Sequence, residues 1–503
     1  MLASAAVALV LVTPLVFLVI EAFHAGFSDV VSLIGRSLTA QLLWNTVRLT
    51  VVVSALCTVL GVGTAWLTER TDLPGRRVWA VLLVVPLAIP DFVVSFGWAS
   101  LNQQFSGFKG AALVMTLAVY PLVYLPVASS LRNADPALEE VARSLGVGRV
   151  RTWWRVTVGQ ARVAILGGCL LVALVILAEY GAFEIMAYQT FTTEIFTEFQ
   201  AFRVPTACAL SLVLVAIGLV VLAGEAAGGG RGRLSRSDRM AQRLTPRHSL
   251  GKWKLPALAA TALVVALALG VPVGSATYWW VAGAKGVIQG GMSVAGAAWH
   301  TAAYSASAAL LATVMALPVA VLAVRSKNRA RFVVERATYV VLAMPGLVIA
   351  LSLVYFSENY AGGIWYQSAP MLVGAYTIMF FPLALVSVRA SVAQAPPSLE
   401  EVGRSLGKRK LEVFWRVTRP LVTPGLAAAF SLVFLSAVTE LTATLVLIPT
   451  GAQTLATQFW QYQQNLAYGQ AAPFALLMIG LAAVPSYVLG RYLDRMPARA
   501  SLS

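Results

Sequence analysis

The sequence predicts an all-α polytopic membrane protein with about twelve transmembrane helices, arranged as two parallel six-helix repeats. Three observations support this fold class. Of the 503 residues, 59% are hydrophobic and only 12% are charged, whereas soluble domains carry roughly 25% charged residues. The apolar residues form continuous charge-free blocks, and the two halves of the chain share motifs. This composition excludes a soluble multidomain protein and a disordered chain.

The predicted spans are blocks without Asp, Glu, Lys or Arg, each near or above the ~20 residues that a helix needs to cross hydrocarbon. Their apolar residues are continuous rather than alternating, which excludes a membrane barrel. Two further spans, Val78–Trp98 and Val163–Tyr180, each contain one carboxylate. The charge-free blocks are Met1–Ile20, Leu49–Thr68, Gly110–Leu131, Val204–Gly224, Leu255–Ala284, Gly286–Val324, Ala337–Ser357, Asn359–Val388, Pro420–Thr439 and Leu441–Gly490.

The repeat is clearest in one hydrophilic loop of each half. The run LEEVARSLG at 138–146 recurs as LEEVGRSLG at 399–407. An even number of spans per half gives both halves the same orientation in the membrane. We therefore predict a first six-helix half at 1–224, a basic Gly-rich cytoplasmic linker at 225–254 and a second six-helix half at 255–503.

The formal net charge of +16 is explained by topology. Most Lys and Arg residues follow alternate spans, so they fall on one face of the membrane, which the positive-inside rule assigns to the cytoplasm. This predicts a multi-pass protein with both termini cytoplasmic and no nucleic-acid partner. The three cysteines are scattered among spans and indicate neither a disulfide framework nor a metal site.

Each repeated loop is predicted to be a short amphipathic helix that ends at a glycine, Gly146 or Gly407. Leu138, Val141, Ala142 and Leu145 fall on one face, and Glu139, Glu140, Arg143 and Ser144 on the other. One interpretation is a helix lying at the lipid interface. The near-identity of the two copies in otherwise diverged halves favours a partner-binding surface that is used twice.

The loop resembles the EAA loop of permease subunits of binding-protein-dependent ABC importers, with Glu140-Val141-Ala142 and Gly146 in the first copy. The second copy has Glu401-Val402-Gly403 and Gly407. Val158-Gly159 and Arg419-Pro420 depart from the Leu-Pro that ends the family motif, so the two docking sites are expected to be unequal. The resemblance implies a type I importer fold and a helix that docks on a cytoplasmic ATPase subunit. The residues it assigns to ATPase coupling are Glu139, Glu140, Ala142, Gly146, Glu400, Glu401, Gly403 and Gly407.

Among fused two-copy permeases, the chain is most similar to the ferric iron importers, through Glu179–Phe183, Gln189–Phe196, Thr439–Leu445, Thr454–Thr457 and Tyr468–Ala472. This implies a bacterial inner-membrane permease that passes substrate by alternating access. Its implied partners are two copies of an ATP-binding subunit, a periplasmic or lipid-anchored substrate-binding protein and membrane lipid. Thiamine or another small solute is the alternative substrate within the class.

The chain is predicted not to be an enzyme and to bind no cofactor. It contains no Gly-x-x-x-x-Gly-Lys-Ser/Thr phosphate loop, so ATP and Mg²⁺ are expected on the partner subunits. A twelve-helix ion-coupled secondary transporter is the rival class. That class predicts buried ionisable residues along the mid-membrane path and no docking loop, whereas here the loop occurs twice.

Four residues are candidates for the substrate pathway: Glu179, Glu440, Asp91 and Tyr180. Glu179 and Glu440 occupy the same repeat position near the outer end of a span, where a carboxylate is costly unless it faces water or a partner. The alternative is that each caps the segment that follows. A metal site is left open, with transient contacts to Glu179 and Glu440, because oxygen donors suit ferric iron. The outer segments at 182–204 and 448–470 are candidates for the surface that meets a substrate-delivering protein. The alternative is that their aromatic residues lie at the lipid boundary.

Overall fold

The computed structural model describes residues 2–24, 32, 35–102, 104–228, 247–283, 294–325, 336–338, 340–395 and 397–495. Regular structure in these ranges is helical, apart from one isolated bridge between Thr71 and His248. Helices are the expected outcome, because a helix satisfies its backbone hydrogen bonds internally and needs no water to do so.

The helices of the first half comprise long spans separated by short segments. They are α1 Leu2–His24, α2 Ser37–Arg70, α3 Arg76–Leu82, α4 Asp91–Leu101, α5 Gly107–Val119, α6 Pro121–Arg132, α7 Pro136–Ser144, α8 Arg149–Thr152, α9 Val158–Ala178, α10 Gly181–Ile185, α11 Phe191–Gln200 and α12 Val204–Gly228. A 3-10 turn at Val85–Ala88 follows α3, and a π turn at Trp153–Thr157 joins α8 to α9.

The second half repeats this order. Its helices are α13 Lys254–Val265, α14 Val271–Gly283, α15 Val294–Arg325, α16 Gly346–Tyr360, α17 Ala369–Gln394, α18 Pro397–Ser405, α19 Lys410–Val413, α20 Arg419–Val438, α21 Thr442–Leu447, α22 Leu455–Gln464 and α23 Tyr468–Arg495. Here a 3-10 turn at Gly251–Trp253 precedes α13, and π turns at Ala266–Gly270 and Phe414–Thr418 precede α14 and α20.

Within the described ranges, nine helices are long and apolar enough to cross a membrane, and the number rises to eleven if each of two bent pairs is one span. The count of twelve therefore stays a prediction. One bent pair lies in the predicted span Val78–Trp98, which is two helical pieces at 93° to each other rather than one straight helix. Pro86 and Pro90 explain the break, because each removes a backbone donor from the helix. A similar bend of 106° precedes Gly346 in the second half.

The chain forms two compact units, each containing one repeated loop. The first-loop unit comprises Gly35–Glu194 and Ala216–Tyr278. In it, α2, α6 and α9 pack closely at small residues. A Cβ at Gly61 or at Gly168 would lie 2.8 Å from atoms of Val123 in α6, so glycine is needed for these helices to approach.

The second-loop unit comprises Met1–Ile34, Ile195–Val215 and Trp279–Ser503. Here α15, α17 and α20 pack together, and a Cβ at Gly425 would lie 2.3 Å from the Cβ of Ser391. Helix α1 packs against α15 and α16 of this unit. The compact units thus cross the predicted sequence halves, since α1 belongs with the second loop and α13 with the first. The boundaries at 224 and 254 stay a prediction, and residues 229–246 of the linker lie outside the described ranges.

Candidate functional site: two loop helices clasped to the ends of spans

Both loop helices end at the glycine that their sequences predict, and the first begins at a capping residue. The Asp135 carboxylate accepts a hydrogen bond from the Ala137 N–H at 2.9 Å and caps α7. Gly146 has φ +77°, and the Val147 N–H donates to the Ala142 carbonyl at 3.0 Å. Gly407 has φ +79° and closes α18 in the same way. This left-handed closure favours glycine and holds each helix to about two and a half turns.

The apolar face of each loop helix points away from its own unit. Val141 is 54% exposed and its counterpart Val402 is 55% exposed. Leu145 and Leu406 are more exposed still, and Leu138 and Leu399 belong to the same face. We call these six side chains the apolar loop faces. Both copies thus leave the same apolar face exposed, as contiguous apolar surfaces at interaction sites are.

The sequence predicted that Glu139 shares the exposed side of α7 with Glu140, and this prediction is wrong. Glu139 is buried, and its Oε1 pairs with the Nη2 of Arg70, the last residue of α2. The Thr157 hydroxyl donates to the same oxygen at 2.8 Å. The buried carboxylate thereby ties the loop helix to the end of one span and the start of another. We call this arrangement the first clasp.

The second clasp repeats this chemistry at the positions that the repeat pairs with the first. Glu400 Oε1 lies 2.6 Å from Arg325 Nη1 and accepts a hydrogen bond from the Thr418 hydroxyl at 2.7 Å. Arg325 is the last residue of α15, as Arg70 is of α2. Both copies of the repeat thus hold the loop helix through the same three residue types in the same arrangement.

The charged state of Glu400 is stabilised by its partners. Partial burial alone would raise the pKa of this carboxyl. The hydrogen bonds from Thr418 and Arg325, together with attraction to Arg325 and Arg404, outweigh burial and hold the pKa below its usual value. The second clasp is therefore an ion pair at neutral pH.

The first clasp has an additional cover from residues 247–254. The His248 N–H donates to the Arg70 carbonyl at 2.8 Å, and its Nε2 lies 3.8 Å from Glu139 Oε2. Asp72 accepts a hydrogen bond from the Leu250 N–H at 2.8 Å and pairs with Lys254 at 2.8 Å. The hydrogen bond from Lys254 lowers the pKa of Asp72. This last part of the predicted linker is thus fixed to the end of α2.

The remaining predicted coupling residues lie around the clasps. Glu140 and Glu401 are exposed on the loop helices, and Ala142 is half-buried. Where the first copy has Ala142, the second has Gly403, and a Cβ at Gly403 would come within 3.1 Å of Val413. The basic segment after each loop forms the short helix α8 or α19, which continues through a π turn into α9 or α20.

Glu179 and Glu440 lie at the far ends of α9 and α20 from the loops, as predicted. Glu179 Oε1 accepts the Ala182 N–H at 2.7 Å, and Glu440 Oε1 accepts the Ala443 N–H at 2.8 Å. Each carboxylate therefore caps the short helix that follows, which is the alternative weighed from the sequence. Their role in the substrate pathway stays a prediction.

The other two pathway candidates differ in position. Asp91 is the first residue of α4, directly after the bend at Pro90, and it is half-buried. Tyr180 is buried between α9 and α10. In the described part of the chain, no three His, Cys, Asp or Glu side chains are placed to hold a metal ion.

Two outer segments present exposed apolar residues at strained positions. Phe202, after α11, is 92% exposed at φ +58°, and Leu466, after α22, is exposed at φ +57°. Each occupies the left-handed position at which a helix usually ends with glycine. Gln458 and Trp460, taken from the sequence as candidates for the outer surface, are buried. The exposed apolar residues are thus at the helix ends.

Sequence reasoning missed the basic and hydroxyl members of both clasps, and it missed the contact of His248. A signal was available for the clasps. Arg70 and Arg325 occupy the same repeat position, because they are 255 residues apart, as Trp44 and Trp299 are. Thr157 and Thr418 are 261 residues apart, as the two loops are. Polar residues kept at paired positions of a diverged repeat mark this site.

The comparisons with known proteins agree with this architecture. Residues 57–225 and 308–499 match the family described as "Binding-protein-dependent transport system inner membrane component". The chain is 38% identical to the Fe(3+)-transport system permease protein FbpB 2 of Haemophilus influenzae, over 97% of this chain and 96% of that protein.

Two more distant relatives extend the comparison. The ferric transport system permease protein FbpB of Actinobacillus pleuropneumoniae is 22% identical over 93% of this chain and 74% of its own length. The sulfate transport system permease protein CysW of Synechocystis is 28% identical over 42% of this chain and 85% of its own length. With both loops inside the matched ranges, the chain belongs to the family of inner-membrane permease components of binding-protein-dependent transport systems.

Proposed function

We propose that this chain forms the membrane-spanning pathway of an ATP-driven importer and that its substrate is ferric iron. The observation that carries the proposal is the duplicated loop helix, with an open apolar face and a clasped glutamate in each copy. Ferric iron is the substrate class named for the relative that is 38% identical over nearly the whole chain.

Two copies of an ATP-binding subunit dock on the two apolar loop faces. Each face offers a row of exposed aliphatic side chains on a helix closed at both ends, and such a helix fits a hydrophobic groove. Glu140 and Glu401 stand exposed beside these faces and meet basic residues of the partner. ATP and Mg²⁺ are bound by those partner subunits, so the chain itself is a transport subunit rather than an enzyme.

The clasps transmit the motion of the ATP-binding subunits to the spans. Arg70 and Arg325 end α2 and α15, and Thr157 and Thr418 lie where α9 and α20 begin. A buried ion pair such as the first clasp is costly to break, at about 3–5 kcal/mol when one partner is removed, and the partly exposed second clasp costs less. Each loop helix therefore moves together with two spans instead of bending at the loop.

The opposite ends of the spans receive the substrate from a binding protein. Phe202 and Leu466 are exposed apolar contacts for that protein, and Glu179, Glu440, Asp91 and Tyr180 provide oxygen atoms for the ion. Alternating access follows when the docked subunits close and the spans tilt. In this arrangement the loops and both termini face the cytoplasm, which agrees with the distribution of Lys and Arg.

Copurification tests the docking, and uptake tests the substrate. With Glu140→Lys and Glu401→Lys combined, the ATP-binding subunit should no longer copurify, and ATP-dependent uptake of ferric iron into membrane vesicles should stop. A double variant that keeps both the partner and uptake would refute the assignment of the loops. Vesicles that take up thiamine but no ferric iron would refute the substrate while leaving the class intact.

A further inference from the structure

A cavity of about 570 Å³ lies beside the second clasp, within the second-loop unit. Its walls separate into an apolar part and a charged part. The apolar part comes from the last turns of α15 and the first turns of α20, with Leu317, Val321, Leu322, Val422 and Leu426. The charged part comprises Arg325, Arg404, Arg419 and Glu400. The cavity thus has the two-part lining that an amphiphilic molecule requires.

The charged part has more positive than negative groups. Glu400 engages Arg325 through Nη1 only, and the Nε and Nη2 of Arg325 are buried without a hydrogen-bond partner among the described residues. Buried donors are nearly always satisfied in proteins, because an unmade hydrogen bond costs free energy. The Nε and Nη1 of Arg70 also lack a partner among the described residues, so these donors do not by themselves identify the site. The three arginines that line the cavity give it a positive charge that attracts an anion.

The first copy fills the corresponding place with its own side chains. The repeat pairs Val321 with Trp66, and Trp66 stacks on His248 at 6.4 Å between ring centroids and contacts Trp153 edge-on. As a result the Arg70 side chain is only 1% exposed, whereas the Arg325 side chain is 25% exposed. Among the described residues, the two copies therefore share the clasp but differ in how the space beside it is filled, and a cavity lies beside the second.

We propose that this cavity binds one anionic phospholipid, with the phosphate at Arg325, Arg404 and Arg419 and the start of its acyl chains between α15 and α20. Basic pockets between spans at the cytoplasmic boundary are where anionic headgroups bind. Inorganic phosphate would use the arginines but would leave five aliphatic side chains around an unfilled space. The phosphate is attracted to Arg325, Arg404 and Arg419 and so fixes the second loop helix from the membrane side. This proposal goes beyond the transport function and does not depend on the substrate.

Native mass spectrometry of the detergent-purified full chain tests the site. Phosphatidylglycerol and phosphatidylcholine with identical acyl chains are titrated separately, and inorganic phosphate is added as a competitor. We expect one phosphatidylglycerol to bind about tenfold more tightly than phosphatidylcholine, the effect of charge-assisted hydrogen bonds to the headgroup. Equal binding of the two lipids would overturn the proposal. Displacement of the lipid by millimolar phosphate would overturn the assignment to a lipid.

Val321→Trp introduces into the second copy the tryptophan that the first copy has at the same repeat position, Trp66. It should lower phosphatidylglycerol binding about tenfold or more, because the acyl part of the site is occupied. Val314→Trp adds the same bulk on the exposed side of α15, outside the cavity lining, and should bind as the unmodified chain does. Arg404→Gln combined with Arg419→Gln leaves the apolar lining unchanged and should reduce the preference for the anionic lipid. If the two tryptophan variants bind alike and the arginine variant keeps its preference, the site is refuted. None of these measurements uses uptake, so they stand apart from the proposed function.

Discussion

Arg70, the last residue of one span, is paired with Glu139 of a loop helix 69 residues later in the chain. Arg325 and Glu400 repeat the pairing with the same hydroxyl partner type. Glu139 faces inward while its neighbour Glu140 is exposed, so adjacent carboxylates have opposite environments. In our proposal one glutamate holds the loop helix and the other meets the partner.

Substituting the clasp glutamates should therefore have a different effect from substituting the exposed glutamates. Glu139→Gln together with Glu400→Gln removes both ion pairs but keeps the size of the side chains. We expect the ATP-binding subunit to copurify as before, while uptake falls about tenfold or more because ATP hydrolysis no longer moves the spans. The measurement is the ratio of substrate taken up to ATP hydrolysed.

Charge reversal supplies the control for this prediction. Arg325→Glu alone should disrupt coupling, and Arg325→Glu with Glu400→Arg should restore part of it, since the second clasp is the less buried of the two. A ratio that stays normal in the double glutamine variant, with uptake unchanged, would show that the clasps only stabilise the fold.

The apolar loop faces make a separate prediction. Val141→Asp with Val402→Asp should abolish copurification of the ATP-binding subunit, because a carboxylate would be desolvated at the centre of each contact. The conservative pair Val141→Leu and Val402→Leu should keep the partner. If the aspartate variant still binds the subunit, the faces lie against lipid instead, as the interfacial interpretation of the loop holds.

The loop helices were predictable from sequence because their signals are local. Asp135 and Gly146 act within a few residues of the helix that they end. The clasps were not predictable in the same way, because Arg70 and Glu139 meet only through packing of the spans. Helical periodicity placed Glu139 with Glu140, and it cannot tell which polar residue of a helix finds a buried partner.

The bent span shows a second limit of sequence reasoning. Val78–Trp98 has the composition of a transmembrane helix, but the hydropathy of a segment does not show whether it forms one straight helix or two helices at an angle. Pro86 and Pro90 were the available signal for the 93° bend, and they count against a straight helix. The contact between His248 and Glu139 had no sequence signal, since it depends on where a linker meets the fold.

Glu179 and Glu440 test whether the outer carboxylates serve substrate or only the fold. Glutamine keeps an oxygen that can accept from the Ala182 and Ala443 N–H groups, so Glu179→Gln with Glu440→Gln should fold normally. We expect uptake of ferric iron to fall about tenfold with little change in ATP hydrolysis, because only the charge that meets the ion is lost. Alanine at both positions, which removes the caps as well, is the comparison for stability. Normal uptake in the glutamine variant would leave capping as the whole role.

Replacing Phe202 with glycine should raise the stability of the protein but weaken its contact with the substrate-binding protein. Phe202→Gly removes the left-handed strain of a side chain that is almost fully exposed, so it should stabilise the protein by about 1 kcal/mol. It should also weaken stimulation of ATP hydrolysis by the loaded binding protein, since an exposed aromatic contact is lost. Ala187→Gly is the matched control, because Ala187 has φ +50° at the end of α10 and offers no large side chain. If both variants alter stimulation equally, Phe202 is not a contact.

Lowering the pH should weaken the second clasp, because Glu400 becomes protonated. Its pKa in the folded protein lies below the usual value of 4.5, so the ionised carboxylate stabilises the folded state above that pH. This stabilisation is lost as the pH falls through the lowered pKa. The difference in Tm between the unmodified chain and Glu400→Gln should therefore be largest near neutral pH and should shrink below about pH 4.5. Glu401→Gln, on the exposed side of the same helix, separates this effect from the general loss of a carboxylate. If the difference in Tm between the unmodified chain and Glu400→Gln grows as the pH falls, the ion pair with Arg325 is contradicted.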